Sequence, residues 1–295
     1  MNIKKLSSHK NAEPENGFLY IVGTPIGNLN DLSLRALNIL KNVSLIACED
    51  TRQTRKLMNR FEFTNNLISF NKHNSSIKIP RIVNDLNSGK SIALASDAGM
   101  PSICDPGENL VKYAKSEGIG IVCIPGPCAA LTAIVSSGLP SSKFIFEGFL
   151  PKKKSEREKI LLDISKNDKT TIIYESPHRL MKLLGQLKEY CGGEREIQVF
   201  RELTKKFEEH IGNNVDEVLD FFEGRAILGE ITVVIKGIDK TNKKADFNKF
   251  ELKKELNELI YAGLSLSQAS KYLAKKNKIT KGLIYNLYYN SINKT

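Results

Sequence analysis

The carboxylates Glu49, Asp50, Glu175 and Glu230 each stand at one end of a short apolar run, in "ACEDTR", "IIYESPHR" and "LGEITVVI". A carboxylate so placed can take the proton of a weak nucleophile such as a hydroxyl, if it lies within hydrogen-bond reach. Tyr174 and Lys205 are further candidates for that task. Arg52 and Arg179 follow carboxylates in the same motifs and suit the holding of a phosphate or the orienting of an acid. Asp105, before Pro106, reads equally as a helix cap or a ligand contact. The stretch "LYIVGTPIGNLND" is an apolar run followed by a glycine loop, the arrangement of nucleotide sites. It fits neither phosphate-binding fingerprint, because Gly23 is followed by Thr24 and Pro25, and Gly27 by Asn28. Pro25 also removes an amide donor. The loop therefore suits close packing of main chain better than phosphate capture.

These motifs need strands to carry them. The runs "FLYIV", "SLIACE", "SIALAS", "GIVCIP", "FIFEGF", "TTIIYES", "EIQVF" and "EITVVIKG" read as strands, and helical patterns lie between most of them. "SLRALNILKNV", for example, is expected to bury Leu34, Leu37 and Leu40 on one face. Alternation of this kind predicts an α/β protein with largely parallel, covered sheets. Ligands in such sheets bind beyond the carboxyl ends of the strands, where this chain is polar and glycine-rich.

The seam "SSGLPSSK" divides the α/β region, giving a flexible segment 1–16, a first domain 17–138 and a second domain 139–239. Residues 240–295 read as a small helical domain with twelve Lys against four Asp or Glu, which is +8 of the chain's formal +11. With the second basic stretch, "PKKKSEREK", this points to RNA as a partner and to neither DNA nor membrane. No apolar run is long enough to span a bilayer, and the polar start offers no signal peptide, so a cytoplasmic protein is expected. The five cysteines form no Cys-x-x-Cys pair, so neither a zinc site nor a disulfide framework is expected.

Taken in order, "VGTPIGNLND", "CEDTR", "SDAGMPSICDPG", "PGPCAA", "EGFLPKK", "YESPHR" and "RELTKKFE" resemble the bacterial small-subunit rRNA cytidine 2′-O-methyltransferases of the tetrapyrrole methylase superfamily. Met100 stands where the commonest form of the third block has Thr. The resemblance implies two α/β/α domains with S-adenosyl-L-methionine in the crevice between them, a small helical C-terminal domain, and a homodimer acting on 16S rRNA in the small ribosomal subunit. It implies cofactor contacts at Pro25, Ser96, Asp97, Met100, Cys128, Ala129, Tyr174, Leu203 and Gly229. Glu49, Asp50, Arg52, Glu175 and Lys205 are then the expected catalytic residues, and Lys152, Lys153, Lys154, Arg157 and Arg179 the expected RNA contacts. In-line transfer of a methyl group needs alignment and no metal. Two rival readings share the fold: methylation of a small tetrapyrrole, against which the lysine-rich segments argue, and a non-catalytic RNA-binding assembly factor, against which the intact strand-end motifs argue.

Overall fold

The computed structural model of the chain describes residues 13–239 and 249–277, with positions 280–282, 284, 285 and 288 beyond them. Of the expected flexible segment and lysine-rich end, residues 1–12, 240–248 and 289–295 lie outside the described residues. The chain divides into two compact units. One comprises the described residues up to Gly138 together with Phe200–His210 and Gly229–Thr232; the other comprises Leu139–Val199, Ile211–Leu228 and the described residues from Val233 onward.

The first unit holds a five-stranded sheet of β1 (Phe18–Val22), β2 (Leu45–Cys48), β3 (Leu67–Ser69), β4 (Ile92–Ala95) and β5 (Gly120–Ile124), in the order β3-β2-β4-β1-β5. Every pairing is parallel, and Val22 stands opposite both Ala95 and Ile124, with Cys48 opposite Ala95 and Ser69. The four longer strands therefore end in one row, and the loops that follow them open at the same level. Helices α1 (Leu34–Asn42), α2 (Thr51–Arg60), α3 (Ser75–Asn87), α4 (Glu108–Ser116) and α5 (Ala129–Ser136) connect them.

Alternate strand residues feed two cores. Tyr20, Val22, Ile46, Cys48 and Ile124 pack with Ala36, Ile39, Leu40 and Leu57, while Leu19, Ile21, Ala47, Ile92 and Leu94 pack with Ile79, Ile82, Leu86 and Leu110. Both faces are thus covered, as all-parallel sheets require. The buried stripe of α1 is Ala36, Ile39 and Leu40, with Leu37 partly buried. Leu34, expected on that stripe, is 87% exposed at the start of the helix, where the Ser33 hydroxyl accepts the Ala36 amide at 3.0 Å.

The second sheet has the order β6-β7-β10-β8-β9 and comprises β6 (Phe144–Phe149), β7 (Thr170–Glu175), β8 (Glu196–Arg201), β9 (Glu209–Asn214) and β10 (Ile231–Ile235). Strands β3 and β9 are absent from the sequence reading for physical reasons. The first is three residues long and the second, EHIGNN, is polar; both are at sheet edges, where one side has no strand neighbour to bury side chains. Helices α6 (Lys154–Lys166), α7 (Pro177–Cys191), α8 (Val215–Phe222), α9 (Lys249–Tyr261) and α10 (Leu266–Asn277) follow in the chain, and a short 3-10 turn, Leu29–Asp31, lies after β1. Helices α9 and α10 pack with Ile284 around a small core of Leu256, Ala269, Leu273 and Ala274. Among the described residues no helix is long and apolar enough to cross a membrane.

Candidate active site

In the first unit the loops after β1, β2, β4 and β5 are bound to one another. Thr24 exchanges backbone hydrogen bonds with Gly99 at 2.9 and 3.1 Å, and its buried hydroxyl donates to the Ser96 carbonyl at 3.2 Å. The Ser96 hydroxyl donates to the Gly99 carbonyl at 3.0 Å. Gly23 lies so close to the next loop that a Cβ there would stand 2.7 Å from the Gly126 Cα and the Met100 sulfur. The glycine loop is therefore built for approach to a neighbouring backbone. Pro25 and Ser96 are buried beside it, Met100 is half-buried, and Cys128 and Ala129 begin α5 on the same sheet edge. Thr24, which ties the loops, is not legible in the sequence, because a lone threonine in a turn carries no chemical signal.

The acidic side chains of this edge differ in their partners. Asp50 caps α2 by accepting the Arg52 amide at 2.8 Å, and its carboxylate chelates the Arg52 guanidinium at 2.6 to 3.0 Å. Those bonds hold its pKa down at about 2. Its own amide donates to Asp97 at 2.9 Å. Burial, and then the charge of Asp97, push Glu49 up; Asp97 is exposed but partly desolvated at the loop, and that desolvation and the Asp50 charge raise it against the hydrogen bond from the Asp50 amide. Asp105 rises to about 6 through burial and the Glu49 charge, against the counteracting charge of Lys72 and a hydrogen bond from Ser96. It does not cap α4, whose N-cap is Gly107. Glu49, Asp97 and Asp105 thus form a cluster of mutually repelling carboxylates at the ends of β2 and β4, beside the ion-paired Asp50.

The RELTK and GE segments, counted with this unit, form a second constellation. The Lys205 ammonium donates to Glu202 and Glu230 at 2.8 Å each. Burial opposes its charge, but the two carboxylates outweigh that and leave its pKa raised. Glu202 and Thr204 adopt positive φ, as do Ser102 and Cys104 in the loop after β4. Strained backbone of this kind gathers in functional loops. Gly229, at φ +91, has the Glu202 carboxylate against it, leaving no room for a side chain, and Leu203 is buried.

In the second unit Glu175 is fully buried at the end of β7. One oxygen accepts both terminal nitrogens of Arg157 at 3.2 Å; the other accepts the Ser176 amide at 2.9 Å and faces the Arg179 Nε at 3.2 Å. Arg157 also donates to Gln186 at 2.7 Å, and Arg179 to the Leu150 carbonyl at 2.8 Å. Arg157, expected to contact RNA, is therefore committed inside the unit and has no face for a phosphate. Arg179 is partly exposed, and Lys152, Lys153 and Lys154 are exposed as expected. Tyr174, one residue before Glu175, meets the rings of both Phe146 and Phe149 edge-on. Among the described residues no group of three or more His, Cys, Asp or Glu is placed to hold a metal ion.

Residues 18–219 match the family described as Tetrapyrrole (Corrin/Porphyrin) Methylases. The chain is 40% identical over 271 residues to a Synechocystis protein named ribosomal RNA small subunit methyltransferase I, covering 92% of this chain and 97% of that one. The chain belongs to this family. A Bacillus subtilis protein of the same name is 40% identical, covering 95% of this chain and 96% of its own. Its Thermotoga maritima namesake is 47% identical, with 75% of this chain matching 99% of that one. Among solved structures, a cobalt precorrin-4 methyltransferase superposes with a TM-score of 0.58 at 15% identity, over 75% of this chain and 95% of its own. A uroporphyrin-III C-methyltransferase from Thermus thermophilus gives 0.54 at 18%, over 75% and 94%. At those identities the likeness is one of fold.

Proposed function

We propose that this chain transfers a methyl group from S-adenosyl-L-methionine to the 2′-hydroxyl of a cytidine in the decoding region of 16S rRNA, acting as a cytoplasmic homodimer on the small ribosomal subunit. The observation that carries this reading is the identity of 40% over more than nine tenths of the chain to relatives named for methylation of small-subunit rRNA. The solved tetrapyrrole methylases resemble it far less, which favours RNA over a small tetrapyrrole as substrate.

When bound, S-adenosylmethionine supplies an electrophilic methyl group on a sulfonium cation. The first unit suits such a donor: Glu49, Asp97 and Asp105 carry negative charge that the chain leaves largely uncompensated, and a cation relieves it. Asp97 would accept the ribose hydroxyls, with Pro25, Ser96, Met100, Cys128 and Ala129 lining the same strand ends. Tyr174, Leu203 and Gly229 complete the proposed contacts.

The proposed catalytic residues divide by charge state. Asp50, held ionised at about 2, is a weak base, so its task is to hold Arg52, whose side chain is 82% exposed and can take a flanking phosphate. Lys205 stays protonated between two carboxylates and serves as an orienting cation. Glu175 has both oxygens engaged and serves to hold its loop. Glu49 remains as the acceptor of the hydroxyl proton, its raised pKa making it the stronger base. Transfer of labelled methyl to 30S particles, followed by nucleotide mapping, tests the reading. The expected product is a 2′-O-methylcytidine; label on a base, or on a tetrapyrrole but not on RNA, would refute it.

A further inference from the structure

Strand β6 reads FIFEGF, with Phe146 and Phe149 three residues apart. In a regular strand that spacing sends the two rings to opposite faces. Here the pairing with β7 slips by one residue: Phe146 stands opposite Ile172, Gly148 opposite Ile173, and Phe149 opposite Tyr174. The extra residue, Glu147, returns Phe149 to the face of Phe146, and Gly148 absorbs the bend at φ +62. Both rings consequently meet Tyr174 edge-on, at centroid separations of 5.0 and 5.7 Å. Phe146 is half-buried, whereas Phe149 remains 55% exposed.

The residues after the ring are ordered and basic. Arg179 donates to the Leu150 carbonyl at 2.8 Å, which pins the chain one residue beyond Phe149. Pro151 follows, then the exposed Lys152, Lys153 and Lys154 at the start of α6. Lys153 and Lys154 pair with Glu156 and Glu158 at 2.9 and 3.7 Å on open surface, and such pairs exchange readily for phosphate. A braced, solvent-facing aromatic ring beside a run of lysines is the combination used to hold single-stranded nucleic acid, the ring stacking on a base while the cations track the backbone.

We infer that Phe149 is a stacking platform for an unpaired RNA base, with neighbouring phosphates taken by Lys152–Lys154. This rests on the rRNA reading above and adds to it the part of the second unit that meets the substrate. The test compares the full chain with Phe149→Leu, Phe149→Tyr and a Lys152/Lys153/Lys154→Ala triple variant, using 30S particles as substrate. Phe149→Leu should raise KM for the particles about 5- to 100-fold and leave the salt dependence of binding unchanged, while Phe149→Tyr restores KM. The lysine variant should instead flatten the salt dependence by up to about 2 to 3 in logarithmic slope. S-adenosylmethionine affinity and melting temperature should stay at the wild-type level in Phe149→Leu. An unchanged KM in that variant, alone or with weakened self-association, overturns the inference, as does a loss of S-adenosylmethionine affinity, which would assign the ring to the donor site. Absence of methyl transfer by the wild-type chain would overturn the rRNA reading itself, whereas a silent Phe149→Leu with normal transfer removes only the platform.

Discussion

Two acidic centres lie at strand ends of this molecule, one buried at Glu175 and one running from half-buried Glu49 and Asp105 to exposed Asp97, and they are treated in opposite ways. Glu175, in the second unit, is surrounded by two guanidinium groups and a backbone amide, so that its charge is answered inside the fold. Glu49, Asp97 and Asp105, in the first unit, are raised first by burial and then by neighbouring carboxylates, and have only partial answers in the Asp50 amide, Ser96, Lys72 and Arg52. A fully compensated charge is a structural joint, which here ties β7, α6 and α7 together. A set of carboxylates left in mutual repulsion costs stability and is relieved by a cationic ligand. The two cases differ both in burial and in the number of compensating partners.

The largest effect that follows from this contrast is on the joint. Glu175→Ala leaves Arg157 buried without its counter-charge and should destabilise the protein by about 3 to 5 kcal/mol in chemical denaturation. A loss below about 1 kcal/mol would mean that the joint is not what holds this part of the unit. Next comes Arg52, exposed and, among the described residues, ion-paired with Asp50. Arg52→Ala should slow single-turnover methyl transfer by about tenfold to a hundredfold through misplacement of the RNA, with the melting temperature essentially unchanged. A less stable variant with wild-type transfer would instead make the pair a simple cap of α2.

Smaller, and of opposite sign, is the effect at Asp105. Its folded pKa of about 6 stands above the ordinary carboxyl value of 3.8, so the folded state binds more protons between those limits and loses stability as pH rises through them. Asp105→Asn should therefore stabilise the protein by about 1 to 2 kcal/mol at pH 7, the gain fading by about pH 4. Equal gains at pH 4 and pH 7 in thermal melts would show that the carboxyl is not strained.

Much of this contrast was legible in the residues. The row of strand ends follows from alternating apolar runs and helices, because parallel strands must all point the same way, and the EDTR and SDAG motifs reach the same edge for that reason. The inward turn of Arg157 is not legible, because a basic run marks charge but does not say which guanidinium meets a buried glutamate 18 residues on. The sequence alone leaves Asp105 open between cap and ligand contact, because its environment is made by Glu49 and Ser96, residues distant in sequence. The slip that turns Phe149 toward Tyr174 is equally silent in FIFEGF, where Gly148 is the only hint.

On the proposed function, the carboxylate cluster of the first unit faces the sulfonium cation. Isothermal calorimetry with S-adenosylmethionine and its neutral-sulfur product S-adenosylhomocysteine, from pH 5 to pH 8, tests it most directly, since the two ligands differ by the methyl group and its positive charge. The ratio of their affinities should move in favour of S-adenosylmethionine as pH rises through about 6, where Asp105 ionises. A ratio that stays flat across that range, with both ligands bound, would contradict the account.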